Sequence, residues 1–546
     1  MRLPTPERAE LLVDQLKRLP TTLHEAEVLR RTGLIPLFRP DEIAYSLYSM
    51  RRWGILAAAI RIATRRTPDA LGLVDERGEL TFRELDRRSN ALARAWSERG
   101  LDDSSVIALL CRDHRGLVES MFAAGKLGAK VLLMNTGFAK PQFAQVSERE
   151  GVSALVYDTE FTDILGDVPS SIPRYLAWVD DGATAAHETL EDLIAATSDA
   201  DVRRPRTIGG LVLLTSGTTG TPKGAPRQVS SPFAAAQFLD RIPLRRGERT
   251  FLGAPLFHGT GLSQFLLTLA LGSTTIVRRR FDPVATLELL ARYRVEELVV
   301  VPTMLQRILA LPEDTIRRYD TSALRIVFCA GSALAPEVGN RATELFGDVV
   351  YNLYGSTEVA VATVATPADW RQAPGTVGRT PVGCTVRLYD DAGRHITKPG
   401  TIGRVFVGSG LKFSGYTGGG GKEEIDGLLS SGDVGHYDTD GLLFIDGRDD
   451  DMIVSGGENV FPAEVENLLL EHPAVDDAAV IGVPDEEFGQ RLKAFVVLRD
   501  DAALDADAVR AHVKAELARH KVPRDVEFVP TLPRNATGKL LRTMLR

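Results

Sequence analysis

The chain has 546 residues, 44% of them hydrophobic and 25% charged, with a net charge of −8. That length exceeds what one compact core serves, so at least two domains and more simply three are expected. The composition is that of an ordinary globular protein, and the acidic balance excludes a general nucleic-acid binder, which needs a basic face.

In chain order, residues 1–50 read as a polar, helical N-terminal extension. The N-terminus, MRLPTPERAELLVDQLKRL, lacks the apolar stretch of a signal peptide. No run reaches the ~18 apolar residues of a membrane span. The nearest is WGILAAAIRIA (53–63), flanked by Arg51, Arg52, Arg65 and Arg66. It reads as a helix packing its apolar side into the domain, with a peripheral membrane contact as the alternative. Cys111, Cys329 and Cys384 stand far apart and match no metal-site spacing, as expected for free thiols in a reducing, cytoplasmic setting. Homo-oligomerisation stays open.

A large domain is expected over 51–447. It opens with a strand, a turn at Arg77-Gly78, a capping box (Thr81, with Glu84 three on) and a helix ending at Gly100. VIALL (106–110), a helical stretch near 115–127, KVLLM (130–134), ALVYD (154–158), LVLL (211–214), ELVVV (297–301) and RIVF (325–328) continue a strand–helix rhythm. Short apolar strands alternating with helices indicate α/β layers with largely parallel sheets. From about Pro381 short strands between Gly-rich turns mark a β-rich subdomain, 381–447. The remaining 448–546 reads as a compact α+β domain, with a helix at Pro462–Glu471, strands at Ala478–Val483 and Leu492–Leu498, and a helix near Asp507–His520. The fold class is therefore α/β, a large multi-layer N-terminal domain followed by a small C-terminal one.

The segment LLTSGTTGTPKGAPR (213–227) carries the first chemical signal. A Gly/Ser/Thr loop directly after an apolar strand suits phosphate, because glycine lets backbone N–H groups approach and hydroxyls donate to anionic oxygens. It is not a Walker A loop, since Lys223 lies between Pro222 and Gly224, and no G-x-G-x-x-G is present. TSGTTGTPKG (215–224) resembles the signature of the adenylate-forming superfamily of acyl-CoA synthetases, luciferases and peptide-synthetase adenylation domains. APLFHGTG (254–261), FCAGSALAPE (328–337), YGSTE (354–358), SGD (431–433), GRDDDMIVSGGENVFPAEVE (447–466) and PRNATGKLLR (533–542) follow in the family's order. The resemblance covers roughly residues 55–546.

The resemblance implies a two-step reaction. A carboxylate attacks the α-phosphorus of ATP, giving acyl-adenylate and pyrophosphate; a thiol then takes the acyl group and AMP leaves. It implies phosphate contacts from Thr215, Ser216, Gly217, Thr218, Thr219, Gly220 and Lys223. Gly331, Ser332, Tyr354, Gly355 and Ser356 would surround the adenine. Asp433 and Arg448 would hold the ribose, Thr357 the α-phosphate, and Glu358 a Mg²⁺ ion. Lys539 would bridge carboxylate and phosphate, and His258 would steer the carboxylate or gate the acyl pocket, a structural histidine being the alternative. Asp450 would be a hinge that swaps Lys539 for a CoA tunnel built on Ser455, Gly456, Gly457 and Glu458. The pocket stretch FHGTGLSQFLL has no acid to pair an amino group, so the expected substrate is an uncharged acid. A medium- or long-chain fatty acid joined to CoA is the first reading. An aryl acid, a carrier protein as acceptor, and a non-catalytic nucleotide or acyl-adenylate binder are the alternatives.

Overall fold

The computed structural model describes residues 20–36, 39–215, 223–226, 232–356, 358–410, 421–449, 451–455, 458–485, 489–535 and 538–545. Two mainly parallel sheets form the large N-terminal part. The first has eight strands in the spatial order Ala360–Ala365, Val350–Ser356, Ile326–Cys329, Glu297–Val300, Arg249–Leu252, Thr274–Val277, Leu71–Asp75 and Gly78–Thr81. Only its two outermost pairings are antiparallel. The second has six, in the order Arg174–Trp178, Ala154–Asp158, Val106–Leu110, Lys130–Leu133, Leu211–Thr215 and Lys223–Pro226, with only the last pair antiparallel.

The strands are apolar along their whole length because both faces are covered. In Val106–Leu110, Ile107 and Leu109 enter one core, while Val106, Ala108 and Leu110 enter another. This is the two-residue alternation of a pleated strand. The core shared by both sheets takes most of its helical residues from Pro40–Arg66, Phe82–Glu98, Arg115–Leu127 and Gly259–Ala270, so these helices form the layer between them. Helix crossing is tight there: a Cβ on Gly125 would lie 2.9 Å from Cβ of Leu56.

The apolar stretch 53–63 is buried in this layer, with Leu56, Ala57, Ala58, Ile60 and Ala63 at most 5% exposed. Its packing reading therefore holds. No helix among the described residues is long and apolar enough to cross a membrane. The expected division after residue 50 falls inside helix Pro40–Arg66, which bends at Gly54 (φ 70°) rather than ending. The predicted capping box is present: Thr81 N–H donates to Glu84 Oε2 at 2.7 Å, and Glu84 N–H donates to Thr81 Oγ1 at 3.2 Å.

A six-stranded antiparallel sheet follows, built around Thr385–Tyr389, Gly403–Gly408, Leu428–Tyr437 and Leu443–Arg448. Its last strand ends at Arg448, one residue past the expected 447 boundary. The C-terminal part is a five-stranded sheet dominated by the hairpin Val475–Asp485/Gly489–Leu498. Helices Pro462–Leu470 and Ala506–Glu516 pack on it through Val465, Leu469, Val509 and Val513.

Candidate functional site

The candidate site lies where a doubly wound sheet exposes its loops, beyond the carboxyl ends of parallel strands. Strands Arg249–Leu252, Glu297–Val300, Ile326–Cys329 and Val350–Ser356 end side by side, and the first, third and fourth lead into the motifs APLFHGTG, FCAGSALAPE and YGSTE. After the third, Gly331 takes φ +102°, a conformation side chains disfavour. A Cβ there would meet Val301 Cγ1 at 3.4 Å and Thr260 Oγ1 at 3.9 Å, so the loops after the first three strands converge at this point. Ser332, the next residue, is half-buried.

Tyr354, Asp433 and Arg448 are brought together from two sheets. The Tyr354 hydroxyl donates to Asp433 Oδ2 at 2.5 Å, and Arg448 Nη1 donates to Asp433 Oδ1 at 3.2 Å. Asp433 and Arg448 are direct cross-strand partners. Burial, then the Asp433 charge, pushes the Tyr354 hydroxyl well above its usual range, so it stays a donor. The ring of Tyr354 is thereby fixed at the strand end.

Gly355 follows because Ala360 O would lie 1.9 Å from a Cβ at this position. Ser356 Oγ accepts from the N–H groups of Glu358 (3.2 Å) and Val359 (3.3 Å) and donates to Glu358 Oε2 at 2.9 Å. This local hydroxyl turn holds the half-buried Glu358 carboxylate at the end of the strand. An oxygen donor with partial solvent access suits a hard divalent cation shared with phosphates.

His258 caps helix Gly259–Ala270. Its Nε2 is buried and has no hydrogen-bond partner among the described residues, and burial pushes the imidazole down to about 4. It is therefore neutral at physiological pH, with one ring nitrogen unengaged. The loop that carries it is anchored by a residue the sequence reading missed. Asp113 lies just beyond strand Val106–Leu110 of the other sheet, and its Oδ1 accepts the Leu256 N–H at 3.1 Å. Burial pushes the Asp113 carboxyl up to about 7. Only the fold brings residues 143 positions apart into this contact.

The C-terminal part reaches the same place. A Cβ on Gly538 would lie 2.2 Å from Thr303 Oγ1, so the loop carrying Lys539 sits directly on the segment after strand Glu297–Val300. Two further positioning residues shape that loop. Arg534 Nη1 donates to Gly538 O at 2.8 Å while its Nη2 pairs with Asp477 at 2.8 Å. Asn535 Oδ1 accepts the Lys539 N–H at 2.9 Å, and Asn535 N–H donates to Lys539 O at 2.9 Å. Lys539 itself is exposed, and its ammonium has no ion-pair partner among the described residues.

Ser455 and Glu458 are not part of this assembly. They are partners in the hairpin Ile453–Ser455/Glu458–Val460, and Ser455 also pairs with Gly489, which faces Asp485. The Lys539 loop packs Leu540 against the Ala479 and Ile481 face of strand Val475–Asp485, whereas Ile453 of the Ser455 hairpin packs with Ala478 and Val480 on the other face. Ser216, Gly217, Thr218, Thr219, Gly220, Thr357, Asp450, Gly456 and Gly457 lie outside the described residues. Thr215 and Lys223, on either side of the first loop, are antiparallel partners that close a hairpin.

One cluster with metal-ligand chemistry was not legible in the sequence: Cys111, His114 and Asp158, whose ligand atoms lie within 4.8 Å of one another. Its hydrogen bonds are already committed. His114 Nδ1 accepts the Gly116 N–H at 3.0 Å, so Nε2 carries the proton and donates to Asp158 at 2.9 Å. Asp158 also accepts the Arg112 N–H at 2.8 Å, and burial pushes the Cys111 thiol well up. The cluster is a satisfied buried network.

Comparison with known proteins places these features in one family. Residues 60–417 match the AMP-binding enzyme family, and residues 464–539 match the AMP-binding enzyme C-terminal domain. An indoleacetate–CoA ligase of Aromatoleum aromaticum is 32% identical over 86% of this chain and 93% of its own length. A feruloyl-CoA synthase of Amycolatopsis is 33% identical over 91% of this chain and 99% of its own. Among solved structures, an anthranilate–CoA ligase with bound anthranoyl-AMP is similar with a TM-score of 0.81 and 26% identity, over 89% of this chain and 96% of the other.

Proposed function

The chain belongs to the AMP-binding enzyme family of adenylate-forming ligases, and from that premise we propose that it joins an aromatic carboxylic acid to CoA at the expense of ATP. The acid's carboxylate oxygen attacks the α-phosphorus of ATP, the bond to the β-phosphate oxygen breaks, and pyrophosphate leaves. The CoA thiol then attacks the acyl carbon, loses its proton, and AMP departs. Indoleacetate and ferulate, in the names of the relatives, are both aromatic acids, and they favour an aryl acid over the fatty acid that the sequence put first.

What most supports the ligase reading is the seating of Gly538 on Thr303, which brings the Lys539 loop onto the segment after strand Glu297–Val300, whose Val301 stands beside Gly331. Tyr354 and the Gly331 loop would hold the adenine, and Asp433 with Arg448 the ribose hydroxyls. Lys539 would screen the two anions that must meet in the first step. Neutral His258 would steer the carboxylate without competing with Lys539 for charge. Glu358 would hold Mg²⁺, which supplies positive charge to the triphosphate when bound. The placement of the Lys539 loop and the Ser455 hairpin on opposite faces of one sheet supports a division of labour, since one small domain cannot turn both faces to one site at once. A swing about Asp450 would exchange them.

The deciding assay measures pyrophosphate and AMP release with ATP, Mg²⁺ and a panel of aryl and fatty acids, each with and without CoA. Pyrophosphate with aryl acids and AMP turnover that depends on CoA are expected. A preference for decanoate or palmitate would restore the fatty-acid reading, and CoA-independent AMP release would point to a carrier protein as acceptor.

A further inference from the structure

Helix Gly259–Ala270 carries a side chain that its own fold leaves unsatisfied. Gln264 is fully buried (0% exposed), yet neither its amide oxygen nor its amide nitrogen has a hydrogen-bond partner among the described residues. Its backbone carbonyl is satisfied by Thr268 Oγ1 at 2.8 Å, so the deficit belongs to the side chain alone. A buried amide with both ends unpaired costs stability that an apolar residue of the same size would not. Such a residue makes physical sense where something else supplies the partners.

The helix geometry shows where the amide points. Residues four apart share a face, so Gln264 lies one turn beyond Thr260, and helical side chains lean back toward the N-terminus. Thr260 is the residue whose hydroxyl approaches Gly331. Phe265, about 100° around the helix, instead faces the core, stacking on Phe122 with ring centroids 6.1 Å apart. The Gln264 amide is thus directed at the space between the helix and the Gly331 loop. A Cβ on Gly259, in the first turn, would meet nothing within 4 Å. At the head of the same helix stands the other unpaired buried group, His258 Nε2. Six residues separate the two, about 9 Å of helix rise. An arylpropenoic skeleton covers that distance from its carboxylate to a para substituent on the ring.

We propose that Gln264 reads a hydrogen-bonding group at the far end of the bound acid, so that the substrates are aromatic acids bearing a ring hydroxyl, ring amino group or ring N–H. The amide oxygen accepts from such a donor, and the amide N–H₂ donates to its lone pair or to a neighbouring ether oxygen. This rests on the aromatic-acid reading above and narrows it. Sites built to hydrogen-bond a substrate group discriminate strongly against analogues that lack it, because the buried partner is then left unpaired.

The test compares matched acids in the full-length enzyme: 4-hydroxycinnamate against cinnamate, and 4-aminocinnamate against 4-methylcinnamate. Pyrophosphate release gives kcat/KM for wild type, Gln264→Met and Gln264→Leu. Wild type should prefer the polar member of each pair by about tenfold or more. In both variants the ratio should fall to near one, through loss on the polar acid with the apolar acid unchanged or improved. The melting temperature without substrate should stay equal or rise. Equal loss on both members, or a ratio unchanged from wild type, would overturn the role of Gln264. Activation of aryl acids with no preference in wild type would overturn the inference alone. Turnover of fatty acids with none of aryl acids would remove the aromatic reading and the inference with it.

Discussion

At Lys539 a single exposed ammonium stands beside a loop contact that any side chain at position 538 would break. Removing it as Lys539→Ala should lower the rate of pyrophosphate release by about 10²–10³. Thioester formation from supplied acyl-adenylate should be nearly unchanged, because that step needs no bridge between two anions. A second residue makes a prediction about pH. Glu297 opens a central strand, fully buried, with Oε2 accepting from Thr250 Oγ1 at 2.8 Å and Oε1 unpaired among the described residues. Burial pushes its carboxyl up to about 8. The folded state therefore holds a proton that the unfolded chain releases above its ordinary value of 4.5. The resulting stabilisation is fully present below that value and is lost as pH rises through about 8, on the order of 5 kcal/mol in all. Melting curves of wild type and Glu297→Gln should converge below about pH 4.5, separate progressively as pH rises to about 8 and stay apart above it, with the glutamine variant the more stable.

Among elements, the loop from Pro533 to Leu541 depends on a fixed frame. Arg534 ties it to strand Val475–Asp485 through Asp477, and Gly538 provides the close approach to Thr303. Arg534→Ala and Gly538→Ala should each reduce adenylate formation several-fold while leaving the thioester step close to wild type, as single-turnover assays of the two half-reactions would reveal. Helix Arg115–Leu127 depends on Lys126, whose buried ammonium donates to Asp86 O, Asp86 Oδ1, Ser89 Oγ and Asn90 Oδ1 at 2.6–2.8 Å. Burial pulls that ammonium down to about 8. Lys126→Ala leaves these acceptors on the neighbouring helix unpaired and should cost roughly 3–5 kcal/mol in denaturant unfolding.

Elements whose signals are local were legible in the sequence. The capping box placed helix Phe82–Glu98, and the apolar run 106–110 is a strand end to end. The hairpin strands, expected at 478–483 and 492–498, extend to 475–485 and 489–498, because backbone pairing continues past the apolar residues. What stayed hidden depends on distant partners. Asp113 has no motif, and its role exists only when Leu256 folds onto it. Gln264 passes for one polar residue in an apolar run, and its unpaired amide shows only in three dimensions.

For the whole molecule, polar contacts join the two parts near the site among the described residues. Gln306 Nε2 donates to Asp476 O at 2.8 Å, and Arg499 lies 3.8 Å from Glu337 beside a cleft of about 600 Å³. Such an interface can open and re-form. The residues flanking position 450 divide their loyalties: Asp449 pairs with Arg404 of the antiparallel sheet at 3.2 Å, and Asp451 with Arg542 of the C-terminal part at 3.4 Å. Both neighbours of the proposed pivot are thus held, one to each side, and little free chain lies between them. In polymer terms, Lys539 then meets its target at an effective concentration set by a very short tether, and its return after each thioester step is a unimolecular event. Lengthening the tether dilutes it. Gly-Ser pairs inserted after Asp450 should slow adenylation progressively, falling as about the −3/2 power of tether length once the flanking pairs are outrun.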